Sequence, residues 1–214
     1  MESLDIGIYE RQRHLGINSP AEISVIGCGG VGAWVAIDLT MAGAGHVNLF
    51  DNDNLELHNI NRVPFRPSDV GKPKSLILKK FITGIRPNIA VNRYGKVTPI
   101  TKRLLGGCVI DCTDKLAAQQ LIFGECKKRG LLYFRVGYDG HHLTVIDARH
   151  PNAPQIEKVW DDESGRDGYT IINSWVVPPQ IAAALVTDII CANRRTGPIT
   201  TTAYDLSQIN ELMD

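Results

Sequence analysis

A run of closely spaced glycines is the segment of this chain best suited to hold a phosphate. The glycines are Gly27, Gly29, Gly30 and Gly32. Glycines let a backbone turn tightly and approach an anion, and a helix that follows them offers free N–H groups and a positive dipole end. Asp51 lies 24 residues after Gly27, where a carboxylate can accept hydrogen bonds from ribose hydroxyls. These residues predict a nucleotide-binding site rather than a purely structural turn.

A polar stretch that begins at Asp51 carries groups suited to polyphosphate chemistry. It reads Asp51-Asn-Asp53-Asn54 and continues through His58-Asn59-Ile60-Asn61-Arg62. Hydride transfer has no evident need for these groups, whereas phosphoryl or adenylyl transfer needs cations and metal ligands around a polyphosphate. A second acidic motif, Asp111-Cys-Thr-Asp114, could place a carboxylate near magnesium. The pattern therefore favours ATP chemistry over NAD chemistry.

The elements that must position these motifs alternate between strand and helix. This alternation predicts a doubly wound, Rossmann-like α/β fold, a single domain with a mostly parallel sheet flanked by helices. In such sheets nucleotides bind beyond the carboxyl ends of the strands, which is where the glycines, Asp51 and Asp111 fall. Strands are predicted at 23–26, 47–50, 89–94, 108–110, 131–136 and 142–147, and helices at 31–43, 72–86, 115–129 and 180–193.

Composition and charge exclude several classes of protein. Lysine plus arginine equal aspartate plus glutamate at 23 each, so the net charge does not favour binding to nucleic acid or to an anionic membrane. No secretory signal and no apolar run of about 20 residues is present, so we expect no membrane span. The five cysteines form no Cys-x-x-Cys pair, which argues against a disulfide framework and a zinc site. We expect a cytoplasmic protein.

In order and spacing, six motifs resemble the adenylating domain of the ubiquitin-activating-enzyme superfamily, of the ThiF/MoeB/HesA type. The resemblance runs from about Tyr9 to about residue 193, within a domain spanning 1–214 whose first 20 residues carry Arg11. The motifs are Tyr9-Glu-Arg11-Gln12, the glycine run, Asp51-x-Asp53, Asn59-Ile-Asn61-Arg62, Asp69-Val-Gly71-Lys72-Pro73-Lys74 and Asp111-Cys-Thr-Asp114.

The resemblance implies a role for each matching residue. Asp51 would hold the ribose of ATP, with Asp53 beside it, and the glycine run would lie against the phosphates. Three residues, Asn59, Arg62 and Lys74, would contact the triphosphate. Asp114 would coordinate Mg²⁺, which neutralises the pyrophosphate leaving group. Arg11 would reach across a homodimer into the partner's ATP site.

The implied reaction is adenylation of a carboxylate, giving an acyl-adenylate and pyrophosphate. The implied substrate is the C-terminus of a ubiquitin-like protein that ends in glycine. Relatives that form a thioester carry its cysteine in or near a crossover loop, here about 149–176, and this segment contains none. We therefore predict adenylation without a crossover-loop thioester, while the sequence leaves open a thioester at Cys112, Cys126 or Cys191.

Three other functions remain compatible with the sequence. The carboxylate could belong to a small molecule or a modified tRNA base, although the neutral net charge argues against tRNA. The chain could be an NAD-dependent oxidoreductase, but no hydride-transfer constellation is visible. It could also be a non-enzymatic scaffold, against which the retention of all the proposed site residues argues.

Overall fold

A seven-stranded sheet forms the centre of the protein, in the strand order β3–β2–β1–β4–β5–β6–β7. The computed structural model describes residues 7–12, 14–149, 174–194 and 199–202. The first five strands are parallel, and β6 and β7 are antiparallel to their neighbours. The strands are β1 (Glu22–Ile26), β2 (His46–Phe50), β3 (Ala90–Tyr94), β4 (Cys108–Asp111), β5 (Leu132–Asp139), β6 (His142–Asp147) and β7 (Ile199–Thr202).

Helices cover both faces of this sheet. They are α1 (Gly30–Ala42), α2 (Lys74–Ile85), α3 (Leu116–Arg129) and α4 (Val177–Cys191). Helices α1, α2 and α4 contribute to the larger hydrophobic cluster on one face, and α3 contributes to the smaller cluster on the other. In the described part of the chain, three short 3₁₀ turns lie in the connections, at Leu57–Asn59, Pro67–Asp69 and Thr101–Leu104. The predicted doubly wound α/β fold is confirmed.

Local sequence explains where the main elements lie and end. Four of the five residues of β1 are buried, as expected for a central parallel strand covered on both faces. Helix α1 is apolar nearly all round because it lies between the sheet and α4. It ends at Gly43, whose φ of 116° is left-handed and whose N–H donates to the carbonyl of Leu39. Pro178 and Pro179 occupy the first turn of α4.

Several boundaries differ from the sequence-based expectation. Strand β5 continues to Asp139, three residues beyond the predicted end, because it pairs with β6 in a hairpin. Helix α2 begins at Lys74 rather than at 72, since Pro73 lies just before it. Strand β7 was not predicted. Residues 150–173, most of the expected crossover loop, lie outside the described part of the chain.

The order of the strands creates a crevice at one end of the parallel strands. Strands β1 and β4 are neighbours although β2 and β3 separate them in the sequence, so a crevice lies beyond their carboxyl ends. We call this side the carboxyl edge, and the opposite side the amino edge. Within the described residues, no helix is both long enough and apolar enough to cross a membrane.

Candidate nucleotide site

The glycine loop connects the carboxyl end of β1 to the start of α1. Gly27 has a φ of 88°, which favours glycine, and its N–H donates to the carbonyl of Phe50 at 2.8 Å. Gly29 is the N-cap of α1 and provides no side chain there, so the first N–H groups of the helix remain available. The loop has the geometry expected of a backbone anion site.

The four glycines of this loop are needed for different reasons. A Cβ at Gly32 would lie 1.8 Å from the carbonyl oxygen of Gly27, so this glycine allows α1 to pack against β1. A Cβ at Gly27 would lie 2.9 Å from the carbonyl of Cys112, and one at Gly30 would lie 2.7 Å from the hydroxyl of Tyr138. A Cβ at Gly29 would meet no atom of the described residues within 4 Å. Gly29 is therefore where the loop faces open space.

Asp51 connects the glycine loop to the loop that follows β2. Its two carboxylate oxygens accept hydrogen bonds from the N–H groups of Cys28 at 2.6 Å and of Asp53 at 2.7 Å. Burial raises the pKa of the Asp51 carboxyl above its ordinary value, and these two hydrogen bonds partly offset that rise. Each oxygen keeps a further lone pair, so the carboxylate can still accept hydrogen bonds from a ligand.

Asp53 and Lys74 face each other at the start of α2. The Lys74 ammonium lies 3.4 Å from a carboxylate oxygen of Asp53, and the Lys74 N–H donates to the carbonyl of Asp53 at 2.9 Å. The Lys74 side chain is only 13% exposed, whereas that of Asp53 is 65% exposed. This cation is thus held beside the loop that Asp51 organises.

Asn59 and Arg62 belong to one tight turn packed against α1. Asn59 is buried, and its side-chain oxygen accepts a hydrogen bond from the N–H of Glu56 at 3.0 Å. The carbonyl of Arg62 accepts a hydrogen bond from the indole N–H of Trp34 at 3.0 Å. The guanidinium of Arg62 donates to the carbonyl of His58 at 2.7 Å. Trp34 therefore ties this turn to α1.

The Asp111–Asp114 motif lies beyond the carboxyl end of β4, next to the glycine loop. Asp111 is fully buried, and it accepts hydrogen bonds from the hydroxyls of Thr113 at 2.7 Å and Tyr133 at 2.9 Å. Burial raises its pKa. The side-chain amide of Gln119 donates to the carbonyl of Thr113 at 2.7 Å. Asp111 thus shapes the loop, while the exposed Asp114 is the acid available to a ligand.

Arg11 lies far from the glycine loop of its own chain. The hydroxyl of Tyr9 donates to the carbonyl of Thr40 at 3.4 Å, and the amide of Gln12 donates to the carbonyl of Ala42 at 2.8 Å. Both contacts lie at the end of α1, at the amino edge. The 13 residues of α1 span about 20 Å. The exposed Arg11 is therefore separated from its own glycine loop by about the length of this helix.

The five cysteines are free, and four of them are buried. Burial raises the pKa of the half-buried Cys112 well above its ordinary value, and it raises the pKa of Cys126 to about 12. The pKa of Cys191 is raised as well, chiefly by burial. Because a thiolate is the nucleophilic form, the folded protein disfavours the reactive state of these three thiols.

Two residues that the sequence did not indicate also lie at this site. Tyr138, near the end of β5, hydrogen-bonds through its hydroxyl to that of Ser174, at 2.7 Å. The carbonyl of Ser174 accepts a hydrogen bond from the side chain of Asn61 at 2.6 Å. The strand was predicted to end at residue 136, so no periodic signal reached Tyr138.

The carboxylates at the carboxyl edge can contribute ligands to a hard cation, but they do not form a complete metal site by themselves. Within the described residues, no three histidine, cysteine, aspartate or glutamate side chains come together as a ready-made metal site. Mg²⁺ is commonly bound through one or two carboxylates together with water and substrate phosphates. The exposed Asp53 and Asp114 are therefore a suitable donor set for this ion in the presence of a nucleotide.

Two curated relatives each match somewhat more than half of the chain. Ubiquitin-like modifier-activating enzyme 5 of Oryza sativa subsp. japonica is 30% identical over 146 residues, covering 60% of this chain and 33% of the relative. The sulfur carrier protein ThiS adenylyltransferase of Escherichia coli (strain K12) is 32% identical over 133 residues, covering 57% and 49%. The matched segment thus spans a third to a half of each relative.

Solved structures show the same fold over most of the chain. The crystal structure of selenomethionine PaaA has a TM-score of 0.73 at 22% identity, covering 96% of this chain and 82% of that one. E. coli tRNA N6-threonylcarbamoyladenosine dehydratase, TcdA, in complex with AMP, has a TM-score of 0.69 at 18% identity, covering 88% and 92%. The family model described as ThiF family matches residues 11–206, and the chain belongs to the ThiF family.

Proposed function

We propose that the protein adenylates the C-terminal carboxylate of a ubiquitin-like or sulfur-carrier protein, using ATP and Mg²⁺. The observation that carries this proposal is the composition of the carboxyl edge. The open Gly29 and the acceptor Asp51 lie there with the cation Lys74, and Arg62 lies on a turn packed against the helix that Gly29 caps. A family in which relatives are named as activating enzymes and adenylyltransferases supports the same chemistry.

The chain's own residues supply binding, orientation and positive charge. The N–H groups at the start of α1 hold the phosphates, and Asp51 accepts hydrogen bonds from the ribose hydroxyls. Arg62 and Lys74 stabilise charge on the triphosphate, with Asn59 in the same turn as Arg62. A carboxylate oxygen then forms a bond to the α-phosphorus, and the bond to pyrophosphate breaks. Little covalent chemistry is required of the protein.

Asp114, together with Asp53, would hold the magnesium ion. When bound, Mg²⁺ neutralises charge on the pyrophosphate leaving group. Both carboxylates are exposed, so they can turn toward a ligand without breaking a buried hydrogen-bond network. Asp111 does not share this role, because its side chain is fully buried and bonded to Thr113 and Tyr133.

Arg11 would act on the ATP site of a second copy of the chain. Its location at the amino edge, about 20 Å from its own glycine loop, excludes a direct contact with a nucleotide bound there. A homodimer in which the amino edge of one protomer meets the carboxyl edge of the other would give Arg11 a role in trans. Mixing two inactive variants, Arg11→Ala and Asp114→Ala, should then restore part of the activity.

We propose that no cysteine of this chain forms a thioester. The pKa values of Cys112, Cys126 and Cys191 are all raised by burial, so their thiolates are disfavoured. The acyl group would pass to an external nucleophile, such as a thiol of another protein. Free cysteines also fit the reducing cytoplasm, where we place the protein.

Carboxylate-dependent exchange of radioactive pyrophosphate into ATP tests the proposal. The assay would offer a panel of ubiquitin-like and sulfur-carrier proteins, each with its intact glycine terminus and with that terminus amidated. We expect exchange with one intact carrier, its loss on amidation, and its loss in Asp114→Ala. Asp139→Ala is the matched control, since this exposed acid lies at the same edge of the sheet, at the end of β5. Exchange that survives Asp114→Ala would contradict the assignment of the magnesium ligand.

A basic surface favours a second candidate, adenylation of a modified tRNA base. This basic surface consists of Lys102, Arg103, Lys127, Lys128 and Arg129, at the end of α3 and the 3₁₀ turn beside it. Arg129 donates to the carbonyl of Arg103 at 3.3 Å, which holds the two segments together. Glu125 pairs with Lys102 at 3.1 Å and with Arg129 at 3.9 Å, so the excess of positive charge on this surface rests mainly on Arg103, Lys127 and Lys128.

Binding of bulk tRNA at several salt concentrations tests this alternative. Phosphate contacts make affinity fall steeply with salt, and the Lys127→Glu/Lys128→Glu variant should weaken binding and reduce that slope. Exchange with a carrier protein, together with tRNA affinity that this variant leaves unchanged, would eliminate the second candidate.

A further inference from the structure

Tyr138 and Ser174 connect the glycine loop to the turn that carries Arg62. The ring of Tyr138 lies directly over Gly30, since a Cβ there would come within 2.7 Å of its hydroxyl and 3.2 Å of its ring carbons. The same hydroxyl hydrogen-bonds to that of Ser174 at 2.7 Å. Tyr138 is half-buried and packs against the larger hydrophobic cluster, which fixes the position of its ring.

The contacts continue from Ser174 to the guanidinium of Arg62. The carbonyl of Ser174 accepts a hydrogen bond from the amide of Asn61 at 2.6 Å, and the amide oxygen of Asn61 accepts one from Arg62 at 3.0 Å. Arg62 returns to α1 through its carbonyl, which accepts the indole N–H of Trp34. The contacts therefore form a closed circuit around the first turns of α1, from Gly30 back to Trp34.

We infer that Tyr138 and Ser174 are positioning residues that hold the Arg62 guanidinium in place for the triphosphate of a bound nucleotide. The inference rests on the proposed function, in which Arg62 contacts that anion. An arginine side chain loses considerable rotamer freedom when it is ordered. A guanidinium already held by Asn61 loses less of this freedom on binding, so the circuit favours the triphosphate over a monophosphate.

The test compares ATP and AMP binding by titration calorimetry, with Mg²⁺ in both cases. Tyr138→Phe and Ser174→Ala each break one link and leave Arg62 unchanged. We expect ATP binding to weaken about fivefold in either variant, the equivalent of one net hydrogen bond, while AMP binding is unchanged. Because both residues act through one link, the double variant should weaken ATP binding no more than either single variant.

Ser24→Ala is the control for the loss of a hydrogen-bonded hydroxyl. The Ser24 hydroxyl donates to the carbonyl of Gly106 at 2.9 Å and accepts its N–H at 3.0 Å, away from the carboxyl edge. This variant should lower stability and leave the ratio of ATP to AMP affinity unchanged. A purely structural role for Tyr138 would weaken both nucleotides alike, and that result would overturn the inference.

The outcomes separate the inference from the proposed function. Pyrophosphate exchange by the unmodified protein, combined with an unchanged affinity ratio in Tyr138→Phe, would reject the positioning role and leave adenylation intact. An altered ratio without exchange for any carboxylate would support the positioning role and reject adenylation. Failure of the unmodified protein to bind ATP would reject both.

Discussion

Alanine at Gly32 should lower the stability of the protein, whereas alanine at Gly29 should weaken nucleotide binding and leave stability nearly unchanged. At Gly32 the new Cβ would lie 1.8 Å from the carbonyl oxygen of Gly27, so α1 must move away from β1. Overpacking of this kind typically costs about 1–3 kcal/mol, and a backbone obstacle places the expected cost at about 3 kcal/mol or more. The loss should be visible in urea unfolding monitored by circular dichroism.

At Gly29 the same methyl group has room among the described residues, and the φ of −82° is accessible to alanine. Reduced freedom of the unfolded chain stabilises by about 0.4–1 kcal/mol, while the poorer N-cap costs a similar amount. The unfolding free energy should therefore change by less than about 1 kcal/mol. The methyl group would nevertheless occupy the space where phosphates approach, so ATP affinity should fall at least about tenfold.

Calorimetric titration with ATP and urea unfolding of the same samples provide the two measurements. Equal losses of stability in the two variants would refute the claim that a methyl group at Gly29 has room in the folded protein. Unchanged ATP affinity in Gly29→Ala would refute the assignment of this loop to the phosphates.

Three further substitutions test the electrostatics of the protein. In Asp51→Asn the side-chain NH₂ group would face the N–H of either Cys28 or Asp53, so one of the two hydrogen bonds would be lost. The free energy of unfolding, measured by urea denaturation, should therefore fall by about 2 kcal/mol. Burial raises the pKa of Asp38 to about 6, so ionisation of this carboxyl destabilises the fold fully above pH 6 and not at all below its ordinary pKa of 3.8. Asp38→Asn should therefore raise the free energy of unfolding by about 1–2 kcal/mol at pH 7.5, after allowing for solvent screening. At pH 4.5 the gain should be smaller. Lys74→Met keeps most of the apolar length of the side chain and removes a cation whose partner Asp53 is exposed. The melting temperature should therefore change little, while ATP affinity in calorimetry falls about tenfold.

Each of these predictions has a result that contradicts it. Undiminished stability in Asp51→Asn would mean that the two backbone hydrogen bonds contribute little. A gain in Asp38→Asn that is the same at both pH values would exclude ionisation as its cause. Normal ATP affinity in Lys74→Met, with Lys79→Met as a comparison on the same helix, would remove Lys74 from the site. Lys79 donates to the carbonyl of Val91 and lies five residues further along the helix.

The sequence by itself determined the elements and the motifs at their ends. Strand β6 has the predicted bounds, and the strand–glycine–helix unit around Gly27 is present as expected. These features are local: apolar runs, glycines and prolines act on the backbone within a few residues. The same local signals placed Asp51 and Asp111 at the carboxyl ends of their strands.

Only the tertiary structure decided which of these groups contact each other, and through which intervening residues. The order of the sheet places β4 beside β1 and β5 beside β4, so Tyr138 lies over Gly30 although more than a hundred residues separate them. Asn61 and Ser174, 113 residues apart, meet for the same reason. The long α1 also separates Arg11 from the site of its own chain. Such contacts depend on strand order and helix packing, which no periodic pattern within a segment records.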